Sequence, residues 1–386
     1  MGTFINRSDI LKVVLVLLVH QTLGKRTLLF TENVIPEEEI SGNSTRDGKL
    51  LPFLALVNVA QSQCTVTGMT GTCVKKSVCT SMKGVELGTC GGGFGTCCQI
   101  KRECTADPVV VTTNLVRLVP GAEFHELCRY VLQKPATSKK KEEICQIRLD
   151  FTRFMIAEGT DIQFTGDCDA DTLTISGQTN AKLGPLCGNL DKQRMYLNYG
   201  DSDKINLDIF MMADGGQTWD ILVTQIKCNS PDLAPPGCLQ YFTEQRMMVK
   251  SFNFDLGHQL NNQDYSICVR TNPSMKTITW RTCGGDQDFS ISGDPTSAAV
   301  GVGATSGDMC NLDFVMIYGD KRYCGTWFEG SVSTTTQPFM MHVHFDDEET
   351  AIPPGGVPQM CNVLPLPKGC DLENKGFCLV YSQSPN

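Results

Sequence analysis

Hydrophobic and polar residues alternate over short segments in most of the chain that follows residue 100. The clearest case is residues 144–151, where Cys145, Ile147, Leu149 and Phe151 are separated by polar residues. A period of two residues is typical of an antiparallel strand with one buried face and one exposed face. Because the apolar face includes a cysteine, we expect this strand to be both packed and cross-linked.

Similar segments recur on both sides of a proline-rich stretch at residues 229–237. Before it they cover residues 127–132, 147–154, 173–175, 205–212 and 221–226, and after it residues 265–270 and 277–280. Short alternating segments between turn-forming clusters predict antiparallel β-sandwiches, so the fold class is expected to be all-β. Three prolines make the stretch between the two groups stiff, which predicts two modules held at a fixed angle.

The amino-acid composition indicates the compartment in which the protein is found. The chain has 386 residues, 20 cysteines and a net charge of −9, from 33 basic and 42 acidic residues. An acidic chain lacks the footprint of a nucleic-acid-binding protein. An even and high number of cysteines predicts a disulfide framework in a secreted protein.

The N-terminus agrees with secretion. Arg7 and Lys12 flank a short apolar run at residues 13–19, which predicts a signal peptide over residues 1–24 that is too short for a membrane anchor. No later apolar run reaches about 18 residues, and the polar C-terminus has no lipid-anchor signal. We therefore expect a secreted protein, free in the extracellular fluid and without a membrane span.

Two segments precede the alternating strands. Residues 25–63 contain no cysteine and are expected to form a linker or propeptide, with a glycosylation sequon at Asn43. Residues 64–98 contain six cysteines and many glycines, and so short a segment needs cross-links in place of a core. A zinc site of four thiolates is the alternative, but it usually requires Cys-x-x-Cys pairs, which this segment lacks.

The order of the six cysteines, which ends in the doublet of Cys97 and Cys98, resembles that of a shortened clip domain, a module of secreted arthropod proteins. Clip domains usually precede a serine protease domain, and none follows here. The resemblance implies the disulfide pairs Cys64–Cys97, Cys73–Cys90 and Cys79–Cys98.

Within residues 104–228, residues 149–154 have the sequence Leu-x-Phe-x-x-Phe, which is followed by a Cys-x-x-Asp sequence at Cys168 and a Cys-Gly sequence at Cys187. With these motifs in this order, residues 104–228 resemble a CUB domain. The resemblance implies the pairs Cys104–Cys128 and Cys168–Cys187. It leaves Cys145 and Cys228, which would tie an inner strand to the last strand.

Residues 238–382 repeat this pattern, with Cys-x-x-Asp at Cys310, Cys-Gly at Cys324 and a Gly-Phe closing strand at Gly376. The implied pairs are Cys238–Cys268 and Cys310–Cys324. By analogy with the first module Cys283 would bond to Cys378, and Cys361–Cys370 remains for a proline-rich insertion. With residues 235–242 and 262–268, the chain resembles a family of secreted arthropod proteins that carry a cysteine-rich unit and two CUB-type domains.

Many CUB domains hold one calcium ion. The resemblance implies Gln163, Asp171 and Asp214 as ligands in the first module, where Gln163 replaces a glutamate and should lower the affinity. In the second module it implies Asp313, with Thr305 and the acidic run at residues 346–348 in the other two positions. The alternative is that Asp171 and Asp313 only accept hydrogen bonds from backbone N–H groups in their loops.

Other chemistry is sparse in the sequence. His342 and His344 share one face of a probable strand and, with Asp346, offer a possible zinc site, although a solvated strand face is the simpler interpretation. The sequence contains neither Gly-x-Ser-x-Gly nor His-Glu-x-x-His. We therefore predict a non-catalytic binding or adaptor protein whose sandwich loops recognise an extracellular protein or glycan. The alternative is a structural protein of an extracellular matrix, cuticle or egg coat.

Overall fold

The structure is a computed structural model, and it confirms that the fold is all-β. It describes residues 62–136, 143–159, 166–212, 215–284, 288–291, 305–306, 310, 312–325, 328–347 and 374–385. The predicted signal peptide, most of the predicted linker and Asn43 lie outside these residues. None of the helices in the described part of the chain has the length and apolar character of a membrane span.

The N-terminal cysteine-rich unit is a small twisted sheet with one helix. Its elements are β1 (Ser62–Val66), β2 (Met69–Val74), α1 (Lys76–Ser81), β3 (Val85–Cys90) and β4 (Gly95–Glu103). Strand β4 lies between β2 and β3 and pairs with both in antiparallel orientation. Residues 97 and 98 are fully buried in this central strand, and each is bonded to a cysteine from another element.

The first sandwich contains ten strands. They are β5 (Val109–Val111), β6 (Val116–Val119), β7 (Leu127–Gln133), β8 (Ile144–Ile156), β9 (Thr172–Ser176), β10 (Lys182–Leu183), β11 (Gly188–Asn189), β12 (Arg194–Asn198), β13 (Lys204–Phe210) and β14 (Thr218–Lys227). One sheet has the order β5-β7-β13-β9, and the facing sheet contains β6-β14-β8, with β11 and β12 pairing with β8.

The second sandwich follows the linker. Its strands are β15 (Cys238–Phe242), β16 (Arg246–Lys250), β17 (Gln263–Val269), β18 (Thr277–Thr282), β19 (Phe289–Ser290), β20 (Thr305–Ser306), β21 (Phe314–Ile317), β22 (Arg322–Cys324), β23 (Ser331–Thr334), β24 (Phe339–Phe345) and β25 (Gly376–Ser384). One sheet contains β15-β17-β24-β21-β22-β20 and the other β16-β25-β18-β23, with β19 on β25.

The two sandwiches share one topology. The order β5-β7-β13-β9 corresponds to β15-β17-β24-β21, and β6-β14-β8-β12 corresponds to β16-β25-β18-β23. In both, the first pair of the first sheet is parallel and the other pairs are antiparallel. The internal repeat that the cysteine pattern indicated is therefore also a repeat of strand order.

Strand β4 crosses the expected end of the cysteine-rich unit at residue 98. Its second half pairs in parallel with β6, with Ile100 opposite Val116 and Glu103 opposite Val119. The small unit and one sheet of the first sandwich thus form a single continuous sheet of nine strands.

Strand β8 shows where the period of two holds. Ile147, Leu149 and Phe151 are fully buried, as the alternation predicts. The start of the strand differs, since Cys145 is half-buried and Gln146, expected on the exposed face, is buried. The linker covers Gln146, whose Oε1 accepts the N–H of Ala234 at 2.9 Å and whose Nε2 donates to Asn198 Oδ1 at 2.7 Å.

Nine disulfides occur among the described residues, and no described cysteine is free. Seven are the pairs that the resemblance implied: Cys64–Cys97, Cys73–Cys90, Cys79–Cys98, Cys104–Cys128, Cys168–Cys187, Cys238–Cys268 and Cys310–Cys324. The other two are Cys145–Cys228, the pair that the resemblance left over, and Cys283–Cys378, which was expected by analogy with the first module. The expected tenth pair, Cys361–Cys370, lies outside the described residues and stays a prediction.

The two sandwiches contact each other directly. Strand β10 of the first sandwich pairs with β17 of the second, with Lys182 opposite Asp264 and Leu183 opposite Gln263. Near the linker, the rings of Tyr196 and Tyr241 meet edge to face at 5.9 Å between centroids. The fixed angle expected from the prolines therefore also rests on strand pairing and packing.

Asn253 is the most constrained residue at this junction. It has a left-handed backbone (φ 63°) and is fully buried. Its Oδ1 accepts the N–H of Asn189 at 2.9 Å, and its Nδ2 donates to Glu158 and to the carbonyl of His258. A Cβ on Gly188 would lie 2.0 Å from this Oδ1, so only glycine allows the approach.

Glu158 and His258 complete the same junction. His258 Nδ1 lies 3.1 Å from Glu158 Oε1, and the two residues belong to different sandwiches. Burial acts to raise the pKa of Glu158, but the hydrogen bonds from His258 and Asn253 and the charge of His258 outweigh it, so the pKa is lowered. The ionised carboxylate is thus the form that holds the modules together.

Candidate functional site

Asp171 organises one end of the first sandwich. It immediately precedes β9 and is fully buried. Its Oδ2 accepts the N–H of Ala157 at 2.9 Å and Gln217 Nε2 at 3.0 Å, and its Oδ1 accepts the N–H of Met212 at 2.9 Å. One carboxylate therefore joins the segments that follow β8, follow β13 and precede β14.

Two of these contacts, from Ala157 and Met212, come from backbone N–H groups, as the alternative to calcium anticipates, and the third comes from the side chain of Gln217. The other two calcium ligands named for this module, Gln163 and Asp214, lie outside the described residues. A carboxylate offers about four lone-pair positions, so three hydrogen bonds leave room for one further contact on Asp171. The carboxylate oxygens of Asp171 thus suit a calcium ion as ligands, and the calcium site stays a prediction.

Asp313 has the corresponding role in the second sandwich. It lies directly before β21, is buried, accepts the N–H of Asp346 on Oδ1 at 2.7 Å and accepts Gln259 Nε2 on Oδ2 at 3.0 Å. The N–H donors of Met212 and Asp346 both come just after the ends of equivalent strands, β13 and β24. Of Thr305 the structure describes the backbone, which pairs with Cys324.

Four exposed apolar side chains surround the end that Asp171 organises. Leu127 and Phe210 are directly opposite each other on β7 and β13, and Phe124 and Met212 lie on the segments that continue from these strands. They are between 38% and 68% exposed, and we call them the apolar rim. Backbone pairing continues here, because the N–H of Met211 donates to the carbonyl of Glu126 at 2.8 Å.

A cleft of about 170 Å³ lies beside the apolar rim, and Phe124 belongs to both. Its other walls include Pro120, His125 and Trp219. The indole N–H of Trp219 donates to the Tyr130 hydroxyl at 3.2 Å, and that hydroxyl donates to the carbonyl of Val119 at 2.7 Å. Burial raises the pKa of Tyr130, which keeps the phenol protonated and able to donate.

Sequence reasoning found Asp171 through the Cys-x-x-Asp pattern, but it missed the apolar rim. Leu127 and Phe210 are 83 residues apart in the chain, and only the register of β7 against β13 places them side by side. In the sequence, each of them is one apolar residue in a segment of alternating apolar and polar residues, so neither stood out.

A second group of polar side chains lies on the outer face of the second sandwich. His344 on β24 is opposite Asp264 on β17, with 3.0 Å between His344 Nδ1 and Asp264 Oδ2. His342 Nε2 is 3.6 Å from Asp264 Oδ1. The carboxylate beside the two histidines is thus Asp264, and the expected partner Asp346 instead gives its N–H to Asp313.

Comparison with known proteins identifies the class of the second sandwich. Residues 235–384, which form the second sandwich, match the family model of the animal CUB domain. CUB domains are extracellular, generally non-catalytic modules that mediate protein interactions. Together with the disulfides, this domain points to a secreted protein.

Among solved structures, the chain is similar to the "CUB1-EGF-CUB2 domains of rat MASP-1", with 11% identity over 72% of this chain and 100% of that chain and a TM-score of 0.23. No curated protein matches the chain. The likeness of residues 64–98 to a clip domain and the arthropod family stay predictions from the sequence.

Proposed function

We propose that the protein is a secreted, non-catalytic adaptor that binds an extracellular protein through the apolar rim of its first sandwich. The observation that carries the proposal is the buried Asp171 carboxylate, which fixes the backbone of Met212 beside the exposed pair of Leu127 and Phe210. A monomeric surface rarely exposes several large apolar side chains together, so a group of them indicates a contact site.

The chemistry of the rim favours a protein partner over a glycan. Phenylalanine and methionine are enriched in the cores of protein interfaces, and charged residues are depleted there. The cleft is also smaller than the roughly 300 Å³ at which small-molecule sites begin. A cleft of about 170 Å³ with phenylalanine and tryptophan in its walls suits one apolar side chain of a partner.

Calcium would assist this surface if it binds as the resemblance implies. An ion on Asp171, with Gln163 and Asp214 as further ligands, would join the same loops that the carboxylate already holds. We expect calcium in the millimolar range to raise the melting temperature of the secreted protein. We expect no rise in an Asp171→Asn variant, and an unchanged melting temperature in the unmodified protein would remove the calcium site.

The adaptor function is tested with a pair of matched variants. The secreted protein would be cross-linked in extracellular fluid of its source and its partner identified by mass spectrometry, then affinity would be measured with the purified partner. Met212→Ser is expected to weaken binding by about tenfold or more, as for a residue near an interface anchor. Met248→Ser is the control, because Met248 is exposed on β16 of the other sandwich.

Equal affinities of the two variants, or competition by free glycans in place of a protein, would contradict the proposal. The alternative, a structural matrix protein, is favoured by the nine disulfides and by the direct contact between the sandwiches. Such a protein would stay in the insoluble fraction until its disulfides are reduced, whereas an adaptor would be extracted by saline.

A further inference from the structure

We propose that His342, His344 and Asp264 form a binding site for a divalent transition-metal ion of the zinc type. The site lies on the outer face of the second sandwich and does not depend on the apolar rim. Its three side chains come from β24 and β17, two neighbouring strands in an antiparallel register of seven residue pairs. The backbone under the site is therefore fixed before any ion binds.

The spacing of the ligand atoms agrees with tetrahedral coordination. Zinc bonds of about 2.0–2.1 Å at tetrahedral angles place neighbouring ligand atoms about 3.4 Å apart. In the structure, His344 Nδ1 and Asp264 Oδ2 are 3.0 Å apart, and His342 Nε2 and Asp264 Oδ1 are 3.6 Å apart. One ligand atom from each of the three residues lies within 4.8 Å of the other two.

The residues around the histidines hold them as a metal site requires. His342 Nδ1 is 3.4 Å from Ser266 Oγ, which leaves Nε2 directed at the carboxylate. A partner on the second ring nitrogen is the usual way in which proteins orient a ligating histidine. The His344 ring lies 5.0 Å from Phe314 at an angle of 33°, and Phe314 is opposite His344 on the next strand.

The guanidinium of Arg322 packs on Phe314, the ring that contacts His344. Arg322 lies with its Cζ 4.4 Å from the centroid of Phe314, and its Nη1 donates to the carbonyl of Cys310 at 3.1 Å. The three ligand side chains are between 26% and 38% exposed, so an ion can reach them from solvent. Two imidazoles and one carboxylate favour zinc over calcium, which prefers oxygen ligands. The fourth position is left to water or to a group from a partner.

Metal titration of the secreted protein tests the site. We expect one equivalent of Zn²⁺ to bind, measured by competition with a chromophoric chelator. Co²⁺ should give the intense visible absorption of a tetrahedral complex. Asp264→Asn and the double variant His342→Ala/His344→Ala are expected to lower the affinity for Zn²⁺ by about 100-fold or more, and Ser266→Ala by about tenfold.

His125→Ala is the matched control, because His125 lies beside the cleft of the first sandwich. It should bind Zn²⁺ like the unmodified protein. Asp264→Asn keeps the size of the side chain, so circular dichroism should show an unchanged fold. The proposal is overturned if the double variant binds Zn²⁺ as well as the unmodified protein does. It is also overturned if Co²⁺ gives only the weak absorption of an octahedral complex.

Discussion

Replacement of Asn253 by alanine should destabilise the junction between the two sandwiches. The substitution removes the acceptor for the N–H of Asn189 and the donor to the Glu158 carboxylate. It also places alanine in a left-handed backbone, which asparagine tolerates better. His258 still contacts Glu158, so the carboxylate keeps one partner.

The magnitude follows from these losses. The half-buried N–H of Asn189 loses its partner, which costs about 1–3 kcal/mol, and the lost hydrogen bond to the carboxylate costs about 1.5–3 kcal/mol more. The left-handed backbone adds about 1 kcal/mol. The total is about 3.5–7 kcal/mol, which is a large share of the 5–15 kcal/mol that stabilises a typical domain.

Urea denaturation monitored by tryptophan fluorescence measures this loss, and limited proteolysis of the linker at residues 229–237 reports on separation of the modules. Asn262→Ala is the matched control, since Asn262 has almost the same backbone (φ 59°) but an exposed side chain. It should lose only the backbone contribution of about 1 kcal/mol. Equal destabilisation by the two substitutions would refute the role assigned to the hydrogen bonds.

Three further outcomes are expected. The lowered pKa of Glu158 means that its contribution to stability is present above the unfolded-state value of 4.5 and is lost as the pH falls through the lower folded-state value. Acid denaturation of Glu158→Gln should therefore be less pH-dependent below pH 4.5, and an unchanged profile would contradict the assignment. Gly84→Ala places a Cβ 2.2 Å from Cys98 Sγ, so a thiol assay should detect free thiols from Cys79 and Cys98, and a fully oxidised variant would argue against this packing. Peptide mapping without reduction should find Cys361 bonded to Cys370, and any other partner would contradict that pair.

Local patterns predicted the strands, because apolar residues at every second position indicate a strand with one buried face. In β8 it correctly gave Ile147, Leu149 and Phe151 as core residues. It failed at Gln146, because the linker covers that side chain, and Ala234, a residue 88 positions away, donates its N–H to Gln146 Oε1. Such a contact depends on the path of the linker, which the sequence of β8 does not contain.

The same difference applies to the candidate sites: residues in a short motif could be predicted, and residues that meet only through strand pairing could not. The short Cys-x-x-Asp motif was enough to find Asp171 and Asp313. In the structure both side chains are buried at one end of their sandwich. Asp264 could not be connected to His344, because they are 80 positions apart and the sequence does not show the register of β17 against β24. The sequence therefore suggested Asp346, the acid nearest in the chain, and the correct neighbour comes from across the sheet.

The pairing of β10 with β17 affects which binding partners the protein can select. This contact and the Asn253 junction join the two sandwiches, so the junction sets the distance between the two proposed binding surfaces, the apolar rim and the histidine face. A partner whose own contact points match that distance can use both at once, and the second contact forms at a high effective concentration. A partner whose contact points have a different spacing gains only one contact. The junction would therefore select partners by the spacing of their contact points as well as by their chemistry.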